Sequence, residues 1–186
     1  TKERVLQIWK LPENKPDNHF FDCLCGAFAA AALDEFDARV ADPLREWASA
    51  CPRGRSSVVL LGPAGSGKSR LAAAVCRRVL DRGPDRVRWW TEADLLDACR
   101  PGGSGEGGAR TVEVLVLDDL GASAPTEWGV AQLLAIVDAR WRDELPTIAT
   151  TNCASRVDLA DRIGERTVSR LAGGALTLRL SGAPPR

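Results

Sequence analysis

Residues 62–69 read Gly62-Pro63-Ala64-Gly65-Ser66-Gly67-Lys68-Ser69. A continuous aliphatic run over residues 58–61 comes before this stretch, and a helical pattern over residues 69–82 comes after it. Glycines in such a turn let successive backbone N–H groups point at one phosphate chain, and the helix N-terminus behind them adds partial positive charge. The stretch therefore predicts a phosphate-binding loop, formed by these eight residues with Arg70. The alternative is a chance glycine turn, which the flanking strand and helix disfavour.

Two side chains of this loop have distinct predicted roles. Lys68 is expected to reach the β- and γ-phosphates of a nucleotide, and the Ser69 hydroxyl is expected to ligate Mg²⁺. The other three lysines of the chain all lie among its first fifteen residues, and arginine is used everywhere else. A compact ammonium at this one position, where a planar guanidinium would not fit, supports the phosphate-binding role.

The chain around the loop alternates between predicted strands and helices. Strands are expected at residues 56–62, 87–90, 112–117, 146–150 and 175–180. Thr91 and Thr126 are expected to cap the helices that follow them. Residues 101–109 contain five glycines and predict a mobile surface loop. The alternation predicts an α/β fold with a parallel sheet that is covered by helices on both faces.

Composition sets outer limits on the class of protein. The 186 residues have a net charge of zero, so any contact with nucleic acid must be a local patch. No apolar run approaches membrane-spanning length, and the six cysteines are scattered, so we expect a cytoplasmic protein with free thiols and no membrane partner. The chain begins at Thr1 and contains no methionine, so we expect it to be processed or excised from something longer.

Polar residues follow two of the predicted strands. Asp118 and Asp119 end the run over residues 112–117, and Asn152 follows the run over residues 146–150. Ligands of open α/β sheets gather at the carboxyl ends of the strands. We therefore expect Asp118 to hold Mg²⁺, Asp119 to orient an attacking water as general base, and Asn152 to hydrogen-bond both the γ-phosphate and that water. The alternatives are an acidic turn and a turn asparagine.

The helix that Thr126 caps carries an apolar stripe and two arginines near its end. We interpret Arg140 and Arg142 as cations that suit the helix dipole, in preference to DNA contacts. The stripe consists of Val130, Leu133, Leu134, Val137 and Trp141.

Residues 1–32 differ in composition from the rest of the chain. Residues 9–24 resemble the C-terminal tail of phage terminase large subunits, which implies a remnant or a fusion junction without activity of its own. Zinc at His19, Cys23 and Cys25 is a second hypothesis, but a second cysteine pair is missing, so ordinary thiols are the preferred interpretation. One or two helices are expected over residues 27–50, at residues 29–36 and 40–50, with a break near Pro43.

Taken together, these motifs resemble the AAA+ ATPases of the DnaC/IstB group, which are bacterial and phage replicative-helicase loaders and transposition helper ATPases. The matching stretches are residues 60–71, 114–121, 125–140, 146–152 and 163–174. The resemblance implies a P-loop fold with strand order 5-1-4-3-2, with ATP and Mg²⁺ as ligands. It also implies ATP sites shared between subunits of a ring or spiral, and a replicative helicase or a transposase as partner.

The resemblance adds one residue to the expected catalytic set of Lys68, Asp119 and Asn152. It implies that Arg170 is an arginine finger acting on the ATP of a neighbouring subunit, with Arg166 in reserve. The alternative is two surface arginines on an amphipathic helix. Members of the group carry an additional helical stretch between the second and third strands, near the surface that grips single-stranded DNA. The glycine loop over residues 100–111 replaces it here, which argues against DNA as a partner.

The expected organisation is an atypical segment over residues 1–32, a helical lead-in over 33–54, the ATPase core over 55–182 and a tail over 183–186. Three functions compete for this core. The leading one is ATP hydrolysis coupled to helicase loading or to remodelling of DNA-associated proteins. The second is a P-loop kinase acting on a small molecule. The third is a non-hydrolysing ATP-binding adaptor from a decayed phage or transposon gene.

Overall fold

A computed structural model of the chain describes residues 33–51, 57–80, 86–101, 103 and 105–181. Several expectations lie outside these residues. They are the terminase-like stretch, the zinc hypothesis at His19, Cys23 and Cys25, and the tail over residues 183–186.

The elements follow one another in the alternating order that the sequence predicts. After a 3-10 turn at Leu33–Glu35, the helices are α1 (Ala38–Ala50), α2 (Lys68–Leu80), α3 (Glu92–Ala98), α4 (Gly105–Thr111), α5 (Glu127–Arg142), α6 (Arg156–Ile163) and α7 (Glu165–Ala172). The strands are β1 (Val58–Leu61), β2 (Val87–Thr91), β3 (Val114–Asp118), β4 (Thr147–Thr151) and β5 (Leu176–Arg179). The predicted caps are confirmed, because the hydroxyls of Thr91 and Thr126 accept hydrogen bonds from backbone N–H groups in the first turns of α3 and α5.

In the described part of the chain, the strands form one parallel sheet of five in the order β2-β3-β4-β1-β5. This is the predicted order 5-1-4-3-2 and is confirmed. The register aligns Leu61 with Thr151, and Thr91 with Asp118. Parallel strands in this register bring their carboxyl ends to a common edge. The residues that follow β1, β3 and β4 therefore lie next to one another.

Helices cover both faces of the sheet, as predicted. Alternate residues of β1 point to opposite faces, so that Leu60 packs with α1 and α2 while Leu61 packs with the helices that follow β2, β3 and β4. Both clusters consist of buried apolar side chains, most of them aliphatic. Within the described ranges, no helix combines the length and the apolar character needed to cross a bilayer.

The predicted break near Pro43 is wrong, because α1 runs through it without interruption. A proline inside a helix removes one N–H donor and crowds the preceding turn. That cost is met here by burial, since Leu44 and Trp47 on the same helix pack into the core. Asp37 also caps the helix by accepting a hydrogen bond from the N–H of Arg39.

The prediction of a glycine loop over residues 101–109 is also wrong in part, because residues from Gly105 onward form α4. Its Ala109 side chain is fully buried in the core, and an ion pair of 2.6 Å joins Glu106 to Arg110 one turn later. Burial and a contact from α5 stabilise a helix that its glycines disfavour.

The contact comes from Arg140, which the sequence analysis assigned to the helix dipole and which is in fact buried with 1% exposure. Its guanidinium donates to four acceptors within 3.0 Å: the Thr147 hydroxyl and the carbonyls of Ala109, Val112 and Pro146. Burial lowers its pKa to about 9, so the group remains charged at neutral pH. Arg140 thus joins α5 to α4, to β4 and to the start of β3.

We expect Arg140→Lys to lower the free energy of unfolding by about 2–3 kcal/mol. A lysine ammonium cannot reach all of the acceptors that the planar guanidinium reaches, so some of these buried acceptors would lose their hydrogen bonds. Urea unfolding followed by circular dichroism measures the change. Arg142→Lys, on the same helix but with a side chain that is 66% exposed, is the matched control and should change it by less than about 0.5 kcal/mol. Equal effects of the two substitutions would contradict this account.

Candidate nucleotide-binding site

The loop after β1 has the backbone shape that its glycines predict. A Cβ atom at Gly62 would lie 2.5 Å from the carbonyl oxygen of Leu180, so the chain passes too close for any side chain. Gly67, just before α2, has φ of +89°, a conformation that L-residues rarely adopt. The loop therefore ends at the N-terminus of a 13-residue helix, where N–H groups without intrahelical partners attract anions.

Lys68 lies at the centre of the site and is almost fully buried. Its ammonium donates to the carbonyl of Pro63 and to the side-chain oxygen of Asn152, both at 2.8 Å. Burial lowers the pKa of Lys68, and the charges of Asp119 and Asp118 oppose that shift. The ammonium thus links the loop after β1 to the residue that follows β4.

Asp118 and Ser69 lie in direct contact at the end of β3. The Ser69 hydroxyl donates to Asp118 Oδ1 at 2.9 Å, and the Thr150 hydroxyl donates to the same oxygen. Burial raises the pKa of Asp118, while the two hydroxyl donors lower it. A serine hydroxyl beside a carboxylate, next to a phosphate-binding loop, is a donor set that fits Mg²⁺.

Asp119 adopts a left-handed backbone conformation with φ of +56°. Its N–H donates to the Thr150 hydroxyl at 3.0 Å, and its carboxylate accepts from the Asn152 amide at 3.3 Å. Asn152 therefore contacts both Lys68 and Asp119, and the structure brings together the predicted set of loop lysine, paired carboxylates and asparagine.

Other predicted residues lie elsewhere. The Arg70 guanidinium is 6.0 Å from the centre of the Phe36 ring. Arg170 donates through Nε to Asp138 at 3.1 Å and stacks on the Trp141 ring at 3.8 Å. Its side chain is 31% exposed, against 67% for Arg166. These contacts hold Arg170 against α5 of its own chain.

Four residues that no sequence motif predicted hold the turn over residues 119–121. Thr150 receives the N–H of Asp119, as described above, and Thr151 donates to the carbonyl of Leu120 at 2.7 Å. Two further side chains engage Gly121, whose N–H donates to the Glu92 carboxylate at 2.6 Å and whose carbonyl accepts from Arg162 at 2.9 Å. The available signal for the two threonines was the composition of β4, in which three of the five residues are threonine.

Glu92 makes the stability of this arrangement depend on pH. Burial raises the pKa of Glu92, and the N–H of Gly121 and the charge of Arg162 oppose the shift. The folded state then holds a proton that the unfolded state has released. The free energy of unfolding therefore falls as pH rises from the ordinary glutamate pKa to the raised one.

Glu92→Gln keeps an acceptor for Gly121 but cannot ionise. We expect the free energy of unfolding of this variant, relative to the wild type, to increase from about pH 4 to about pH 8. Urea unfolding at intervals across this range measures the difference. A constant or falling difference would show that Glu92 ionises at least as readily in the folded chain as in the unfolded one.

The fold and the site together define the class of protein. A parallel sheet in the order 5-1-4-3-2, with a glycine loop after β1, acids after β3 and an asparagine after β4, is the arrangement of a P-loop NTPase of the AAA+ type. A family model described as IstB-like ATP binding protein matches residues 31–157. The chain belongs to this family.

Among curated proteins, the replicative helicase loader DnaC of Escherichia coli strain K12 is 31% identical over 127 residues. The match covers 64% of this chain and 51% of DnaC, so the chain spans about half the length of the curated relatives it matches.

Solved structures agree on the fold. The crystal structure of the DnaC helicase loader has a TM-score of 0.75 at 23% identity and covers 83% of this chain and 99% of its own. The structure of DnaI has a TM-score of 0.69 at 23% identity, with coverages of 86% and 93%. AMPPCP-bound DnaA from Aquifex aeolicus has a TM-score of 0.67 at 22% identity, with coverages of 81% and 50%. At these identities the likeness establishes the AAA+ fold alone.

Proposed function

We propose that the chain binds ATP with Mg²⁺ at the loop over residues 62–69 and hydrolyses it. The observation that supports this best is the cluster in which Ser69 contacts Asp118 while Asn152 contacts both Lys68 and Asp119. Membership of a family of ATP-binding proteins supports the choice of nucleotide.

Binding follows from the groups that line the loop. The N–H groups of residues 65–69 and the N-terminus of α2 would receive the phosphates, and Lys68 would turn from Pro63 and Asn152 to the β- and γ-phosphates. The Ser69 hydroxyl and the Asp118 carboxylate would hold Mg²⁺, which supplies charge neutralisation on the phosphate oxygens.

Hydrolysis would depend on Asp119 and Asn152, which are not among the groups that bind the phosphates and Mg²⁺. The Asp119 carboxylate would accept a hydrogen bond from a water and orient it toward the γ-phosphate. The Asn152 amide already donates to Asp119 at 3.3 Å, so it fixes the direction of that carboxylate and has its carbonyl oxygen free for the water once Lys68 moves.

We also propose that a neighbouring copy completes the site through Arg170. Asp138 and Trp141 hold its guanidinium in a defined position at the surface of α7. A positioned guanidinium can stabilise charge on the γ-phosphate, and such a group is worth about 10³–10⁵ in rate. Arg166, which is more exposed, is the reserve candidate.

The cellular task that we propose is loading of a helicase, or remodelling of another protein on DNA, driven by this hydrolysis. The support is the similarity to a protein named replicative helicase loader. The glycine segment between β2 and β3, which was expected to be a loop, contains the helix α4 in addition to the predicted α3. We therefore include single-stranded DNA as a candidate ligand.

The rate of phosphate release from ATP, measured against protein concentration, tests the proposal. We expect the rate per subunit to rise with concentration, because each site needs a second copy. The protein and ATP are supplied without any other phosphate acceptor, so phosphate release also excludes the kinase. ATP binding without release at any concentration, with or without single-stranded DNA, would instead favour the adaptor.

A mixing experiment tests the shared site. Lys68→Ala should abolish ATP binding but leave Arg170 intact, whereas Arg170→Ala should bind ATP normally and lose about 10³-fold or more in turnover. Each variant alone should be inactive, and their mixture should recover activity because one supplies the nucleotide and the other the arginine. Arg166→Ala, from the same helix, should hydrolyse ATP at the wild-type rate, whereas a loss of turnover in Arg166→Ala and not in Arg170→Ala would assign the role to the reserve residue. A mixture without activity, beside an active wild type, would refute the assignment of Arg170.

A further inference from the structure

Thr150 is a buried polar residue near the carboxyl end of β4, the central strand of the sheet. It lies on β4, which pairs with β1 on one side and with β3 on the other, and its exposure is 0%. A buried hydroxyl at a central strand position is costly unless it forms hydrogen bonds. The partners of this hydroxyl therefore indicate why the position is polar.

Both partners are acidic residues of the site. The Thr150 oxygen accepts the N–H of Asp119 at 3.0 Å, and its proton is donated to Asp118 Oδ1. One hydroxyl thus holds the side chain of the first aspartate and the backbone of the second. The hydrogen bond from the Asp119 N–H lies at a residue with φ of +56°, so it stabilises a backbone conformation that aspartate rarely adopts.

We propose that Thr150 is the positioning residue of the two acids: it orients the Asp118 carboxylate toward the metal position and holds the Asp119 backbone so that its carboxylate faces Asn152. This inference rests on the proposed ATPase function. Hydrogen bonds to metal-ligating carboxylates and to general bases typically account for about 10–100-fold in metal affinity or activity.

The chemistry requires a group that accepts and donates at the same atom. Serine supplies the same hydroxyl with one methyl group fewer. Valine has nearly the same shape as threonine but neither donates nor accepts. Comparing the serine and valine substitutions therefore separates the effect of the hydroxyl from the effect of side-chain packing.

The experiment compares full-length Thr150→Val and Thr150→Ser with the wild type. We expect Thr150→Val to need about tenfold more Mg²⁺ for half-maximal binding of the fluorescent analogue mant-ATP, and to lose about 10–100-fold in kcat, with KM for ATP at saturating Mg²⁺ changed less than about threefold. Thr150→Ser should restore both values to within about threefold of the wild type.

The matched control is Thr147→Val, at the other end of the same strand. Thr147 is also buried and its hydroxyl accepts from Arg140, far from the acids. This variant should lose stability but keep the wild-type Mg²⁺ dependence and kcat. An equal loss in Thr147→Val, or a wild-type Mg²⁺ dependence in Thr150→Val, would overturn the inference.

If Thr150→Val does not fold by circular dichroism, Thr150→Ala takes its place in the same comparison. If the wild type releases no phosphate, the proposed hydrolysis fails, but the Mg²⁺ dependence of mant-ATP binding still decides the role of Thr150. Binding of mant-ATP by the wild type without any dependence on Mg²⁺ would overturn the inference.

Discussion

The site depends on the position of β4 between β1 and β3. Lys68 follows β1 and Asp119 follows β3, and neighbouring strands lie about 4.8 Å apart, so a gap of two strand spacings separates their starting points. Asn152, at the end of the strand between them, fills that gap and contacts both. Direct pairing of β1 with β3 would leave no place for a third group. The parallel hydrogen bonding of one strand thus determines the geometry of the whole cluster.

Most of the site could be predicted because its signals are local. A glycine turn between a strand and a helix is visible within twelve residues, and acids or amides at strand ends must meet at one edge of a parallel sheet. The strand order could not be predicted from local signals, because alternation of strands and helices indicates a parallel sheet without showing which strands are neighbours. That order came from the resemblance of several motifs to one group of ATPases, and the structure agrees with it.

The features that could not be predicted depend on contacts between distant parts of the chain. In the sequence, Arg140 looks like a surface cation at a helix end. Only the fold shows that the carbonyl oxygens of Ala109, Val112 and Pro146 surround its guanidinium. The helix through Pro43 has the same cause, because burial of its apolar face outweighs a local penalty. Thr150 looks like an ordinary β-branched strand residue until the acids of β3 are placed beside it.

Lys68 has partners of its own before any phosphate arrives, in the carbonyl of Pro63 and the oxygen of Asn152. A buried ammonium without partners would be costly, and here the chain itself supplies both acceptors. Ligand entry is then an exchange of bonds, which lowers net affinity, and departure of the product leaves no orphaned charge behind.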